Sequence, residues 1–231
     1  MRWYQKLLFT CFIVTVINSI RAQNLIIGCT GNIGLSKVTS NIPIPDDYRV
    51  KFTSSGNLGI FLEKKIGQKS SLGIEALWIQ IEGKEITKDI VLTVVNGQEL
   101  EEIGVVSNKL KLHSSYIGIP IYYRGQIGKI GIKGGFQSMI FLFANSDHES
   151  IGEINGEPYE DEGKIKNIKF EQIDMGPKLG VDYKLNSKIR LRADYYHGLI
   201  DITSNEFPWE RKNRQINLGI QLEFGKEKKE R

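Results

Sequence analysis

Three histidines are the residues here that could move protons. His113 precedes Ser114 and Ser115, His148 lies between Asp147 and Glu149, and His197 stands near Asp194 and Asp201. A hydrolytic site needs a nucleophile, a base and an orienting group within reach of one another. Adjacent strand residues face opposite ways, and His113 and Ser115, two apart on one face, are too distant for a proton relay. His197 reads better as a polar residue at a rim. The acidic run Glu157, Glu160, Asp161 and Glu162, followed by Lys164 and Lys166, is dense enough to hold calcium weakly. It lacks the ligand spacing of an EF-hand loop, so solvated charge is the simpler reading. With 2 cysteines and 3 histidines, material for a metal centre is scarce. Glycines 128 and 131 precede no helix and so form no phosphate loop. No catalytic, cofactor-binding or metal-binding residue is assigned.

The more informative charges lie inside segments of alternating character, of which there are eight. They run over 25–37, 54–66, 70–82, 109–124, 128–142, 169–184, 188–201 and 214–224. Each sets an Ile- and Leu-rich face against a face of Gly, Asn, Gln and charged residues. In 214–224, for example, Ile216, Leu218, Ile220, Leu222 and Phe224 oppose Gln215, Asn217, Gly219, Gln221 and Glu223. In 70–82 the far end is ambiguous, because Leu77, Ile79 and Ile81 make the second face apolar too. Over all eight segments the polar face carries Arg124, Lys129, Lys133, Lys178, Arg190 and Arg192 with Glu63, Glu75, Asp174, Asp182, Asp194 and Glu223. Six charges of each sign predict an interior crossed by compensating ion pairs, since unpaired buried charge is costly. The glycines leave room for these long side chains inside a narrow cylinder.

The chain begins with Arg2 and Lys6, an apolar run from Leu7 to Ile17, and a polar stretch ending at Ala22. That is the layout of a secretory signal peptide over 1–22, too short to span a bilayer as a helix. Three of the 31 Lys and Arg lie in this leader, leaving 28 against 27 acidic residues. The basic balance of the whole chain therefore gives no reason to expect nucleic acid. Cys29, alone after the leader, reads as a small buried or lipid-facing residue.

Links between the segments alternate strictly between short and long. Residues 67–69, 125–127 and 185–187 are short, whereas 38–53, 83–108, 143–168 and 202–213 are long. A transmembrane barrel sorts its links in this way, with short periplasmic turns and longer extracellular loops. The expectation is an all-β, eight-stranded antiparallel transmembrane β-barrel over 23–225, followed by a charged tail, 226–231. A secreted, lipocalin-like small-ligand binder is the alternative, with the Ile-rich faces turned inward. Trp78, Tyr116, Tyr122, Tyr123, Tyr183, Tyr195, Tyr196 and Phe224 are compatible with aromatic girdles. Pro120 interrupts a strong strand pattern and predicts a bulge or a strand exit.

The stretch Tyr116-Ile117-Gly118-Ile119-Pro120 resembles the fourth strand of the small Bacteroidetes outer-membrane barrels grouped as PorT-like or outer membrane protein beta-barrel domain proteins. Residues 176–183 resemble their sixth strand and residues 216–224 their closing strand. The resemblance implies insertion into the outer membrane of a Gram-negative bacterium by the assembly machinery, with Phe224 as the terminal aromatic signal. It implies no catalytic residues. One subgroup takes part in protein secretion.

Function then falls to the long links. Asn96-Gly97 within 83–108 is a hairpin signal, so the flanking strands extend as a ribbon beyond the membrane. Such a ribbon suits strand addition to an extracellular protein or peptide. The leading expectation is a non-enzymatic structural or surface-binding barrel acting through 83–108 and 143–168, with outer-membrane lipid as its surroundings. A narrow channel or a secretion-associated component is the runner-up.

Overall fold

The computed structural model describes residues 25–40, 49–95, 99–168, 170–203 and 210–224. The leader 1–22, the hairpin tip Asn96-Gly97 and the tail 226–231 lie outside the described residues. Ten strands follow in order: β1 (Leu25–Ser40), β2 (Arg49–Lys51), β3 (Thr53–Lys65), β4 (Ser70–Val95), β5 (Glu99–Ile127), β6 (Ile130–Ile154), β7 (Glu157–Ile165), β8 (Ile173–Lys184), β9 (Ile189–His197) and β10 (Arg211–Glu223). Eight of them close a ring, β1–β3–β4–β5–β6–β8–β9–β10 and back to β1, with every pairing antiparallel. Closure pairs each wall strand on both sides, which a sheet crossing hydrocarbon requires.

The alternation sorts the two faces. Ile33, Leu58, Ile60, Ile121, Ile132, Phe136, Leu179 and Leu218 point outward, and Ile33 is 77% exposed. Glu63, Glu75, Asp182, Arg190 and Arg192 point inward and are buried. A lipocalin-like protein would show the reverse, so that alternative fails. On β10 the outward apolar run spans Ile216 to Phe224, nine residues, the length a tilted strand needs to cross the membrane.

Short turns gather at one end. Ile66 and Leu185 each donate a backbone hydrogen bond at 3.0 Å across their turns, to Ser70 and Ile189. The β5–β6 turn is tighter than the 125–127 link expected from sequence. Ile127 pairs with Ile130, leaving only Gly128 (φ 59°) and Lys129 between them. Glycine at the first central position suits a two-residue hairpin. Lys129 is consequently exposed on this turn and does not belong to the interior, a correction to its assignment there.

At the other end, the links 83–108 and 143–168 are largely strand rather than loop. β4 and β5 stay paired up to Val95 and Glu99, and β6 and β7 pair around Asn155-Gly156. Both of those turn residues have positive φ, 57° and 77°, as a type I′ hairpin requires. The upper parts of β4, β5 and β6, with β7, thus form a sheet projecting from the ring.

Pro120 marks no bulge. It pairs in register with Gln137, and beside it the β4–β5 ladder lapses between Ile74–Ile121 and Leu77–Gly118, where the missing N–H falls. The β5–β6 bulge sits instead at Ser115/Tyr116. Below it Gln137 and Met139 on β6 face inward; above it Ala144 and Ser146 do, because one extra residue switches the faces.

Candidate functional site

Inside the ring, ten of the twelve charged residues expected there form one network, five of each sign. Nearest the turn end, Arg124 grips Asp182 with two bonds of 2.8 and 2.6 Å. Glu63 accepts from Tyr122 Oη at 2.9 Å and from both terminal nitrogens of Arg190 at 3.0 and 3.1 Å. Arg190 Nε lies 2.6 Å from Glu223 Oε1. Deeper in, Arg192 reaches Asp194 at 2.6 Å, Glu75 at 2.9 Å and Thr30 Oγ1 at 3.0 Å. Lys178 and Lys133 donate at 2.8 Å to Gln137 and Gln221 respectively. Lys178 Nζ stands 4.0 Å from Glu75, and Lys133 Nζ 3.9 Å from Asp182. Paired and hydrogen-bonded charges of this kind are tolerable where isolated ones are not. Glycine makes the space: a Cβ on Gly131 would stand 2.4 Å from Asp182 Oδ2, and one on Gly73 2.4 Å from the Tyr122 ring.

Two expected members lie apart. Lys129 is on the turn, and Asp174 takes a hydrogen bond from Asn213 Nδ2 at 2.9 Å instead of facing a cation. Thr30, Tyr122, Gln137 and Gln221 are network members that a search for charge passes over; they share the polar face, which is the signal that could have found them.

Above this network the interior turns apolar. Leu77, Ile79, Ile81, Tyr116, Met139 and Tyr196 form a buried cluster, with Phe141 packed edge-on to Tyr116 at 5.7 Å. The ambiguous end of segment 70–82 is therefore inward-facing core, while Trp78 points out. Tyr116, Tyr122 and Tyr196 fill the interior and are not girdle residues; Trp78, Tyr123, Tyr183, Tyr195 and Phe224 remain outside. Phe224 is two-thirds exposed, and its N–H bonds Ile27 O at 2.7 Å. Cys29 is partly exposed on the outward face.

The histidines do not assemble a nucleophilic site among the described residues. His113 lies between Glu82 (3.3 Å) and Asp147 (3.6 Å), while the Ser114 hydroxyl donates to Ile81 O at 3.2 Å. His148 faces Asp161 at 3.4 Å, and His197 Nδ1 lies 2.9 Å from Tyr195 Oη. Residues of the acidic run alternate across β7, so Glu160 and Glu162 face away from Glu157 and Asp161. No three metal-ligating side chains converge among the described residues.

The projecting sheet carries the accessible polar chemistry. On its outer face Lys109 pairs with Glu149 at 2.8 Å, and Lys164 with Asp147 at 3.6 Å. An open groove of about 420 Å³ there is lined by Lys84, Lys109, Lys111, Asp147, His148 and Lys164, among others. Two edges are open among the described residues: β7 pairs only with β6, and β4 beyond Ile86 only with β5. The link behind β9 is held by Asp201, whose Oδ1 accepts from Thr203 N (3.0 Å), Thr203 Oγ1 (2.6 Å) and Arg211 N (2.8 Å). Burial acts to raise its pKa, but these bonds and the charge of Lys212 outweigh that and hold it below the ordinary value.

Several solved structures resemble the chain. Neisserial surface protein A matches at 12% identity and TM-score 0.45, over 86% of this chain and 97% of that one. The attachment invasion locus protein Ail of Yersinia pestis, crystallised with the heparin analogue sucrose octasulfate, matches at 10% identity and TM-score 0.43, over 87% and 100%. The outer membrane protease OmpT of Escherichia coli matches at 7% identity and TM-score 0.38, over 88% and 98%. No curated protein matches. The family model described as "Outer membrane protein beta-barrel domain" matches residues 21–204, most of the ring described above. The chain belongs to the outer membrane protein beta-barrel domain family.

Proposed function

We propose that this chain is a non-enzymatic surface-binding protein of the Gram-negative outer membrane, in which a closed barrel carries the β4–β7 sheet outside the cell. The observation that carries this reading is continuity. β4, β5 and β6 run without a break from the lipid-facing wall into a sheet with open edges, a form suited to adding a strand from an extracellular protein or peptide. The ion-pair network and the apolar cluster above it support a holding role for the interior rather than a conducting one. In this reading the leader 1–22 is removed on export, and Phe224 serves the assembly machinery of a PorT-like barrel.

The test is capture of extended peptides from a displayed random library by the refolded chain in detergent. Wild type captures peptides that compete with one another, and a chain shortened between Ile90 and Val106 loses capture while still migrating as a compact barrel. Undiminished capture after shortening contradicts the reading.

A further inference from the structure

Just beyond the apolar belt, cations collect on one sector of the outer wall. Lys37 on β1 and Arg214 on β10 are direct cross-strand partners, each two residues beyond a belt residue, Leu35 and Ile216. Phe52, half exposed, lies beneath Lys37, with Nζ 5.6 Å from the ring centroid. The pairing of β4 slips by one residue between Lys51↔Lys84 and Ser55↔Ile81. This bulge leaves Lys51 and Phe52 both exposed, with Lys51 directly opposite Lys84.

Like charges set directly opposite across strands are unfavourable. Here two such pairs occur on neighbouring strands, and among the described residues no carboxylate lies within ion-pair distance of Lys37, Lys51, Lys84 or Arg214. Of the outward acids, Glu149, Glu160 and Glu162 stand on β6 and β7, while Glu82 is engaged by Ser54, Lys111 and His113 and Glu210 by Lys212. An anion seated where the lipid-facing belt ends relieves this repulsion.

We propose that this sector binds the phosphate of an outer-leaflet lipid. Lys37 and Arg214 hold the headgroup, and its acyl chains lie along Leu35, Ile33 and Ile216. A guanidinium beside an ammonium suits a phosphate, and Phe52 occupies the interfacial level favoured by aromatic rings. Lys51 and Lys84 add attraction from above.

The test is lipid binding to the refolded chain in neutral glucoside micelles, read by native mass spectrometry. The probes are phosphatidic acid, diacylglycerol with the same chains, and inorganic phosphate as competitor. Phosphatidic acid is expected to bind at least tenfold more tightly than diacylglycerol. K37Q/R214Q weakens it about 25-fold, at about fivefold per cation, whereas E160Q/E162Q leaves it unchanged. K51Q/K84Q, placed above the wall strands, gives a smaller loss and serves as a second variant should K37Q/R214Q fail to fold. Equal binding of the two lipids, or unchanged phosphatidic acid binding in both cation variants, overturns the proposal. Displacement by equimolar inorganic phosphate overturns it as well, by assigning the sector to free anions.

Discussion

β4, β5 and β6 each belong to two regions of the molecule, and the change along them is instructive. In the wall, one face of each strand meets lipid and the other a packed interior, so Trp78 points out while Leu77 and Ile79 are fully buried. In the projecting sheet the same strands expose most of their side chains on both faces, with Val106 buried. Lys109, Lys111 and His113 then follow one another on the outer face, paired with Glu149, Glu82 and Asp147 across neighbouring strands. The wall is held by burial and internal ion pairs; the sheet is held by backbone ladders and exposed ion pairs, which contribute little each. Damage in the wall should therefore be global, and damage in the sheet local.

The largest effect is expected from Glu75→Ala, which strips Arg192 of one partner in the buried network. It should cost about 3–5 kcal/mol, read as a lower urea midpoint in micelles. Glu75→Ala combined with Arg192→Met should cost less than the two single changes added together. Tyr116→Ala, which empties part of the apolar cluster, should cost about 3–5 kcal/mol as a large-to-small core change. In planar bilayers it should also raise the frequency of brief openings above a closed wild type. Gly131→Val drives a side chain against the Arg124–Asp182 pair, at about 1–3 kcal/mol, and should lower the temperature at which fast gel migration is lost.

Gly156→Ala probes the other side of the comparison. With φ at 77°, it should speed amide exchange between Ile154 and Tyr159 and leave the barrel's unfolding midpoint unchanged. The smallest effect concerns pH. Asp201 has a lowered pKa when folded, so its contribution is present above the unfolded value near 3.8 and is lost as pH falls through the folded value. Asp201→Asn should remove that acid dependence from amide exchange at Thr203 and Arg211 while the wall stays protected.

The eight wall strands were legible because a lipid face and a lumen face impose opposite demands on neighbouring residues. Of the projecting sheet, the β4–β5 ribbon was legible from Asn96-Gly97, whereas the pairing of β6 with β7 across 143–168 was not, because largely wet faces impose no alternation. The interior charges were legible by face, but Lys129 was misplaced, since the turn fell three residues later than Gly125–Ile127. The inward role of Leu77, Ile79 and Ile81 was hidden because an apolar interior resembles a lipid face in composition. Pro120 misled for a further reason: a proline can rest in a wall strand where the ladder lapses beside it. The outer cations, set across strands far apart in the chain, needed the register to be seen together.

The measurement that bears most directly on this account is heat-modifiable electrophoresis of a chain with both ribbons trimmed. Asn-Gly would join Ile86 to Lys109 and His148 to Gly163, preserving the wall pairs below. The account predicts faster migration unheated than boiled, as for the full chain, because the closed ring and its network stand without the sheet. Identical migration in both states for the trimmed chain, with the full chain still heat-modifiable, would show that the sheet holds the barrel together and would contradict the division drawn here.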